Sequence, residues 1–212
     1  MTIIAPATPR GVVLFGPGAG GDPGRYSSIL NAFAGAGYVV LAPTSERFDP
    51  RSVSTEQLQS RVEALHDSLK DYGDTELPIV ATGHSVGAWA ALCLAGAQPW
   101  GRDGKPIPVR AESRVKSLLL FAPTVGWFQA PGALDNVSVP LVVHTGTADT
   151  ITPAATAEVL RSAPVDVNIT THENVGHYDF MTQIPPQFTP TAGLNHLAFL
   201  HELGAQITAT LT

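Results

Sequence analysis

Leu77-Pro78-Ile79-Val80-Ala81-Thr82-Gly83-His84-Ser85-Val86-Gly87, running on through Ala88-Trp89-Ala90-Ala91-Leu92-Cys93-Leu94 to Ala97, is the stretch that decides how this chain reads. Its first part is a short apolar, partly β-branched run, which predicts a buried strand. Its last part, from Val86 through Ala97, is rich in Ala and Leu and predicts a helix. Between them stands Gly83-His84-Ser85-Val86-Gly87, a G-x-S-x-G pentapeptide. A strand, one sharp turn carrying a Ser, then a helix holds a nucleophilic hydroxyl clear of a sheet, beside the positive end of the helix. Such a turn has no room for bulky neighbours, hence Gly83 and Gly87. The competing reading is a Gly-rich turn in which Ser85 only caps the helix. The rest of the chain has to separate the two.

Outward from this stretch, strands and helices alternate. Gly11–Phe15 and Tyr38–Ala42 are strand candidates. Between them Asp22 to Ala36 can form a helix, opened near Pro23 and ended near Gly35 and Gly37. Ser54 to Tyr72 is the clearest helix. Ser54 and Gln57 have capping-box spacing, and Leu58, Val62, Leu65 and Leu69 fall on one face. Pro99 to Ser113, rich in Gly, Pro and charge, reads as a surface loop. Val115–Phe121, Pro140–His144 and Val165–His172 are further strands. Pro153 to Arg161 reads as a helix with Thr152 as its N-cap. Thr191 to Leu211 reads as a closing helix whose Leu194, Leu197, Leu203 and Ile207 face the sheet. Strands apolar on both faces and separated by helices predict an α/β fold, a mostly parallel central sheet with helices on both sides. There is no repeat, no low-complexity tract and no dividing linker, so residues 1–212 read as a single domain.

Composition agrees. Of 212 residues, 44% are hydrophobic and 14% charged, a globular balance rather than a disordered one. A net charge of −6 with no basic cluster argues against a nucleic-acid surface. No apolar run is long enough to span a bilayer, and Met1 to Pro6 has neither the basic nor the long apolar segment of a secretory signal. The single Cys93 cannot form an internal disulfide and falls within the helix after Ser85, where it reads as a small buried hydrophobe. These features suit the cytoplasm.

A Ser nucleophile needs a base to take its proton and a third group to orient the base. In a fold with this elbow the partners follow in the order Ser, acid, His. Asp149 lies just past one strand, in Thr145-Gly146-Thr147-Ala148-Asp149-Thr150-Ile151-Thr152-Pro153. His177 lies just past the next, in Asn174-Val175-Gly176-His177-Tyr178-Asp179-Phe180. Parallel strands bring both loops to the edge that carries Ser85. Asp149 could instead be a turn or cap residue, and His177 a satisfied loop histidine. The chain has seven histidines. His144 and His172 sit within strands, His196 and His201 on the closing helix. His84 is too close to Ser85 to serve it, and His66 precedes it. Order and position leave His177 as the base.

G-H-S-V-G, then D-T-I-T-P, then G-H-Y-D-F, in that order and at those intervals, resemble the α/β-hydrolase superfamily from Val12 to Leu211. The D-x-I-x-P loop and the aromatic soon after the His are most similar to small cap-less esterases, the dienelactone-hydrolase-like and cutinase-like branches. Dienelactone hydrolases themselves carry a Cys nucleophile where this chain has Ser85. The resemblance implies an oxyanion hole of two backbone N–H groups. One belongs to Val86. The other belongs to the loop Phe15-Gly16-Pro17-Gly18-Ala19-Gly20-Gly21. Relatives have His-Gly there and the next residue donates, so Pro17 stands in place of the His and Ala19 is the donor.

The same loop also fits G-x-G-x-x-G, the dinucleotide-binding fingerprint. That fingerprint expects an acid at the end of the second strand, and Leu41-Ala42-Pro43 has none. The favoured reading is a serine carboxylesterase-type hydrolase acting on a small-molecule ester, with Ser85, Asp149 and His177 as its triad and no metal or other cofactor. The alternatives are a thioesterase or amidase with the same triad, a dinucleotide-binding oxidoreductase using Gly16–Gly21, and a non-catalytic binding protein. Ala122 to Val139 is too short for a cap domain, which implies an open site. Trp127, Phe128, Tyr178 and Phe180 are the candidates for an apolar acyl-binding wall. The residues leave the oligomeric state open.

Overall fold

The structure, a computed structural model, describes residues 1–73 and 76–211. The strands are β1 (Thr2–Ile4), β2 (Gly11–Gly16), β3 (Tyr38–Ala42), β4 (Ile79–His84), β5 (Val115–Phe121), β6 (Leu141–Gly146) and β7 (Val167–His172). They form one sheet in the order β1-β3-β2-β4-β5-β6-β7, parallel throughout except for β1, which runs antiparallel along β3. The α-helices are α1 (Ser27–Gly35), α2 (Thr55–Tyr72), α3 (Val86–Leu94) and α4 (His196–Leu211). Every residue of β2, β3 and β4 is buried, as the double-sided apolar runs require.

Successive residues of each strand serve opposite layers. Val12, Leu14, Val39, Leu41, Leu118 and Leu120 pack with α2 and α3. Val13, Phe15, Val40, Leu119 and Phe121 pack with α1 and α4. The side on which each helix lies follows from handedness. The chain steps from β2 out to β3 through α1, then returns across β2 to β4 through α2. Right-handed crossovers taken in opposite directions place their helices on opposite faces. The reversal makes β2 and β4 the point where the loops diverge, the crevice in which open α/β sheets bind ligands.

Helix α2 begins as its sequence requires. Ser54 Oγ accepts the Gln57 N–H, and Gln57 Oε1 accepts the Ser54 N–H. Leu58, Val62, Leu65 and Leu69 are buried, each worth roughly 1.5–3 kcal/mol relative to exposure. All nine residues of α3 are buried, which suits a helix apolar on every side.

Several elements differ from the sequence reading. The Asp22–Ala36 helix opens as a 3-10 turn, Pro23–Tyr26, capped by Asp22, before α1 takes over. Ala154–Ser162 is 3-10 rather than α-helical, and Thr152 does not cap it. Its hydroxyl is held instead by Asp149. The closing helix starts only at His196, and its buried stripe is Phe199, Leu200, Leu203 and Ile207. Leu197 lies off that stripe and is 79% exposed. Among the described residues no helix is long and apolar enough to cross a membrane.

Candidate active site

Strand β4 ends in the pentapeptide, and three glycines explain the turn. A Cβ on Gly83 would lie 2.5 Å from Gly87 C and 2.6 Å from Gly16 O, and one on Gly87 would collide with Gly16 O. The ends of β2 and β4 and the start of α3 therefore meet backbone to backbone. Ser85 is forced to φ 57°, ψ −120°, a conformation unusual for a residue with a side chain. The strain is held by the surroundings. Ser85 N–H donates to Phe121 O, and Ser85 O accepts from Ala88, Trp89 and Thr124 N–H.

Asp149 and His177 come together in the loops after β6 and β7. His177 Nδ1–H donates to Asp149 Oδ2 at 2.8 Å. The Thr152 hydroxyl donates to the same oxygen at 2.8 Å. Asp149 Oδ1 accepts the N–H groups of Ile151 and Thr152, each at 2.8 Å. Burial pushes this carboxyl up. The hydrogen bond and charge of His177 and the bonds from Thr152 outweigh it and hold the group below its ordinary value. Asp149 therefore stays ionised and fixes the ring with Nδ1 protonated. Asp179, the other acid beside the histidine, is engaged elsewhere. Its carboxylate accepts the N–H groups of Gly176 and Thr191 and the Thr191 hydroxyl.

Ser85 and His177 line one cavity of about 830 Å3. The two side chains share no hydrogen bond among the described residues. Ser85 Oγ lies instead 3.4 Å from Thr124 Oγ1. A serine hydroxyl turns about a single torsion, so its partner is set by rotamer, whereas the buried Asp149–His177 pair is fixed by four hydrogen bonds. Of the expected oxyanion donors, Ala19 lies on the cavity wall and Val86 opens α3 immediately after Ser85.

Two residues that the sequence reading passed over tie these loops together. Gly18 N–H donates to Tyr26 Oη at 3.1 Å, and Tyr26 Oη lies 3.0 Å from His84 Nδ1. His84 Nε2 lies 2.9 Å from the His177 carbonyl. A carbonyl only accepts, so Nε2 carries the proton and Nδ1 accepts from the tyrosine. Burial, then the nearby His177, push His84 well below the usual imidazole value and keep it neutral. Arg61, on α2, is the second. Its guanidinium donates to the carbonyls of Pro17, Gly18, Ala19 and Glu46. The signal for it was present. Position 61 lies on the Leu58–Leu69 stripe, where a charged residue has to find its partners inside.

Tyr178 lines the cavity, stacked on Phe188 with ring centroids 4.0 Å apart. Trp127, Phe128 and Phe180 do not. Trp127 packs edge-on against Trp89, and Phe128 and Phe180 are buried. Phe180 lies against Phe121 and Phe199 on the α1–α4 side. In place of these three the apolar wall contains Ile151, Met181 and Phe188. Cys93 is buried in α3 beside a separate cavity of about 450 Å3, and burial pushes its thiol well above the ordinary value. The Gly16–Gly21 loop runs into a 3-10 turn whose N-terminus is already capped by the Asp22 carboxylate, where a dinucleotide would need its pyrophosphate.

This strand order, with an elbow serine at the crossover point and an Asp–His pair on the loops after β6 and β7, is the α/β-hydrolase fold. No protein-family model matches the chain, and no curated protein matches it in sequence. Solved structures do. Esterase 2 of the planctomycete Thermogutta terrifontis is 17% identical, with a TM-score of 0.65, over 99% of this chain and 86% of that one. The same enzyme phosphorylated by paraoxon is 19% identical, with a TM-score of 0.63, over 98% and 87%. An α/β serine hydrolase homologue from Coxiella burnetii is 15% identical, with a TM-score of 0.62, over 99% and 90%. At these identities the likeness is one of fold.

Proposed function

We propose that this chain is a serine hydrolase that cleaves small carboxylic esters, with Ser85 as nucleophile, His177 as base and Asp149 as orienting acid. The observation that carries the reading is the buried Asp149–His177 hydrogen bond of 2.8 Å beside a cavity that Ser85 also lines. Nothing in bulk packing calls for an ionised, four-times-bonded carboxylate holding a histidine ring at the edge of a cavity. An acyl-transfer site does.

The chemistry follows from the atoms. Ser85 Oγ turns from Thr124 toward His177 Nε2, gives up its proton there and attacks the ester carbonyl. The Asp149 carboxylate stabilises the imidazolium. The N–H groups of Ala19 and Val86 receive the developing oxyanion. His177 returns the proton to the leaving alcohol. A water molecule, deprotonated by the same ring, then releases the acid from Ser85. Residues 1–212 act as one domain in this scheme, since the site draws on loops from Gly16 to Thr191. Ile151, Tyr178 and Phe188 give the acyl or alcohol group an apolar wall in an open cavity, which favours short or bulky esters over long chains. Support from likeness is indirect: the Thermogutta structures include one with propionate bound and one with butyrate bound.

The test is labelling with a fluorophosphonate, peptide mapping, and a panel of nitrophenyl esters from acetate to octanoate. Ser85 takes one label per chain, and Ser85→Ala abolishes both labelling and turnover. A label on another serine, or an active Ser85→Ala enzyme, refutes the assignment. Matched thioester and anilide substrates in the same panel separate the esterase reading from the thioesterase and amidase alternatives.

A further inference from the structure

We propose that Arg61 is the positioning residue of the oxyanion loop, holding three successive carbonyls so that the Ala19 N–H faces the reacting oxygen before substrate arrives. The proposal rests on the serine-hydrolase reading above.

Arg61 is 3% exposed, yet no carboxylate lies within ion-pair distance of it among the described residues. Its partners are backbone oxygens: Pro17 O at 3.2 Å and Gly18 O at 3.1 Å on one guanidinium nitrogen, Ala19 O at 3.2 Å and Glu46 O at 2.7 Å on the other. The Phe48 ring covers the guanidinium, 4.7 Å from its central carbon. Carbonyls of three consecutive residues aimed at one point are an unfavourable arrangement, because the negative ends of three dipoles converge. A buried cation with a forked set of donors makes it the preferred one.

The consequence lies on the other side of each peptide. In a trans peptide the C=O of one residue is antiparallel to the N–H of the next. Holding the Pro17 and Gly18 carbonyls on Arg61 turns the Gly18 and Ala19 N–H groups the opposite way. Tyr26 Oη takes the Gly18 N–H. The Ala19 N–H has no partner among the described residues, and Ala19 lines the cavity with Ser85. The loop runs close beside the nucleophile, since a Cβ on Gly18 would lie 3.6 Å from Ser85 Cβ. Helix α2, fixed by its capping box and its buried leucines, is the rigid mount. Such pre-aimed donors act without reorganising during the reaction. Burial lowers the guanidinium only to about 10, so the charge is present at neutral pH.

The test compares wild type with Arg61→Met and Arg61→Lys on one nitrophenyl ester. It adds inhibition by a trifluoromethyl ketone, which forms an oxyanion adduct on the serine, and amide hydrogen exchange. For Arg61→Met, kcat falls by ~10²–10³, the range for losing an oxyanion donor, while KM changes by less than about threefold. The ketone weakens by the same factor as kcat/KM. Arg61→Lys, with one compact ammonium in place of the fork, recovers part of the loss. Exchange at residues 18–21 speeds up while the sheet stays protected. A folded Arg61→Met enzyme with wild-type kcat and ketone affinity overturns the proposal. If Arg61→Met does not fold, Arg61→Lys decides, and an undiminished kcat there overturns it. If wild type neither hydrolyses an ester nor takes a phosphonate, the hydrolase reading fails. The exchange comparison then judges the clamp alone, and unchanged exchange at residues 18–21 overturns it.

Discussion

Replacing Tyr26 by Phe removes a single oxygen from the middle of the connection between the oxyanion loop and the base. That oxygen accepts the Gly18 N–H at 3.1 Å and faces His84 Nδ1 at 3.0 Å. Tyr26 is 1% exposed, and burial pushes its phenol well above the usual value, so the O–H is present as a donor at any working pH. Without it, two buried polar groups lose their partners at once. Each costs ~1–3 kcal/mol, so a loss of about 3 kcal/mol is expected. At about 2–4 °C per kcal/mol for a chain of this size, Tm falls by ~6–12 °C. Circular dichroism during thermal and urea unfolding measures it. A double-mutant cycle with His84→Leu then isolates the connection. Once His84 is gone, removing the hydroxyl costs less, with a coupling of about 1–2 kcal/mol. A Tyr26→Phe protein as stable as wild type, or strictly additive with His84→Leu, would refute the reasoning. Activity follows the same logic, because His84 anchors the His177 carbonyl at 2.9 Å. Thus kcat on a nitrophenyl ester falls together with Tm, even when assayed well below unfolding.

Asp149→Asn should lower kcat by about 10⁴ with the fold intact, because the amide holds the wrong imidazole tautomer. Asp179→Asn should lower stability, by loosening Gly176 and Thr191, while kcat stays within an order of magnitude. The reverse pattern would mean that the acid is misassigned. A third expectation concerns acid. His144 is 2% exposed, stacked on Phe121, with Nδ1 3.0 Å from His172 Nε2. Burial first, then the neighbouring His172, lower it from 6.5 to about 3. The native state resists the proton that the unfolded chain accepts. Stability is therefore full above about pH 6.5 and declines as pH falls toward 3, by at most about 5 kcal/mol. In His144→Phe that part of the slope should vanish in urea titrations from pH 7 to 4, and an unchanged slope would exclude His144 as its source.

Features carried by contiguous residues are legible in the chain alone. The turn at Ser85 is legible because Gly16, Gly83 and Gly87 leave no volume for a side chain, a constraint that appears as glycine in the chain itself. Helix α2 is legible because a capping box and a 3.6-residue stripe are local periodicities. The alternation of strands and helices gave the parallel sheet, and chain order singled out Asp149 and His177, which do meet. Which side chains reach which partners depends on how distant segments pack. Strand β1 is three residues long and forms only because β3 offers a free edge. Leu197 and Leu203 are six residues apart in α4, so they fall on different faces of the helix, and the packing of α4 against the sheet buries the face of Leu203 and leaves Leu197 in solvent. Trp127, Phe128 and Phe180 went into packing while Ile151 and Phe188 took the cavity wall, because cavity position depends on how distant loops fold over one another. Tyr26 and Arg61 belong to the site through contacts 8 to 58 residues away along the chain. Periodicity marks a residue as buried. Its hydrogen-bond partners are set by long-range register, which no local window contains.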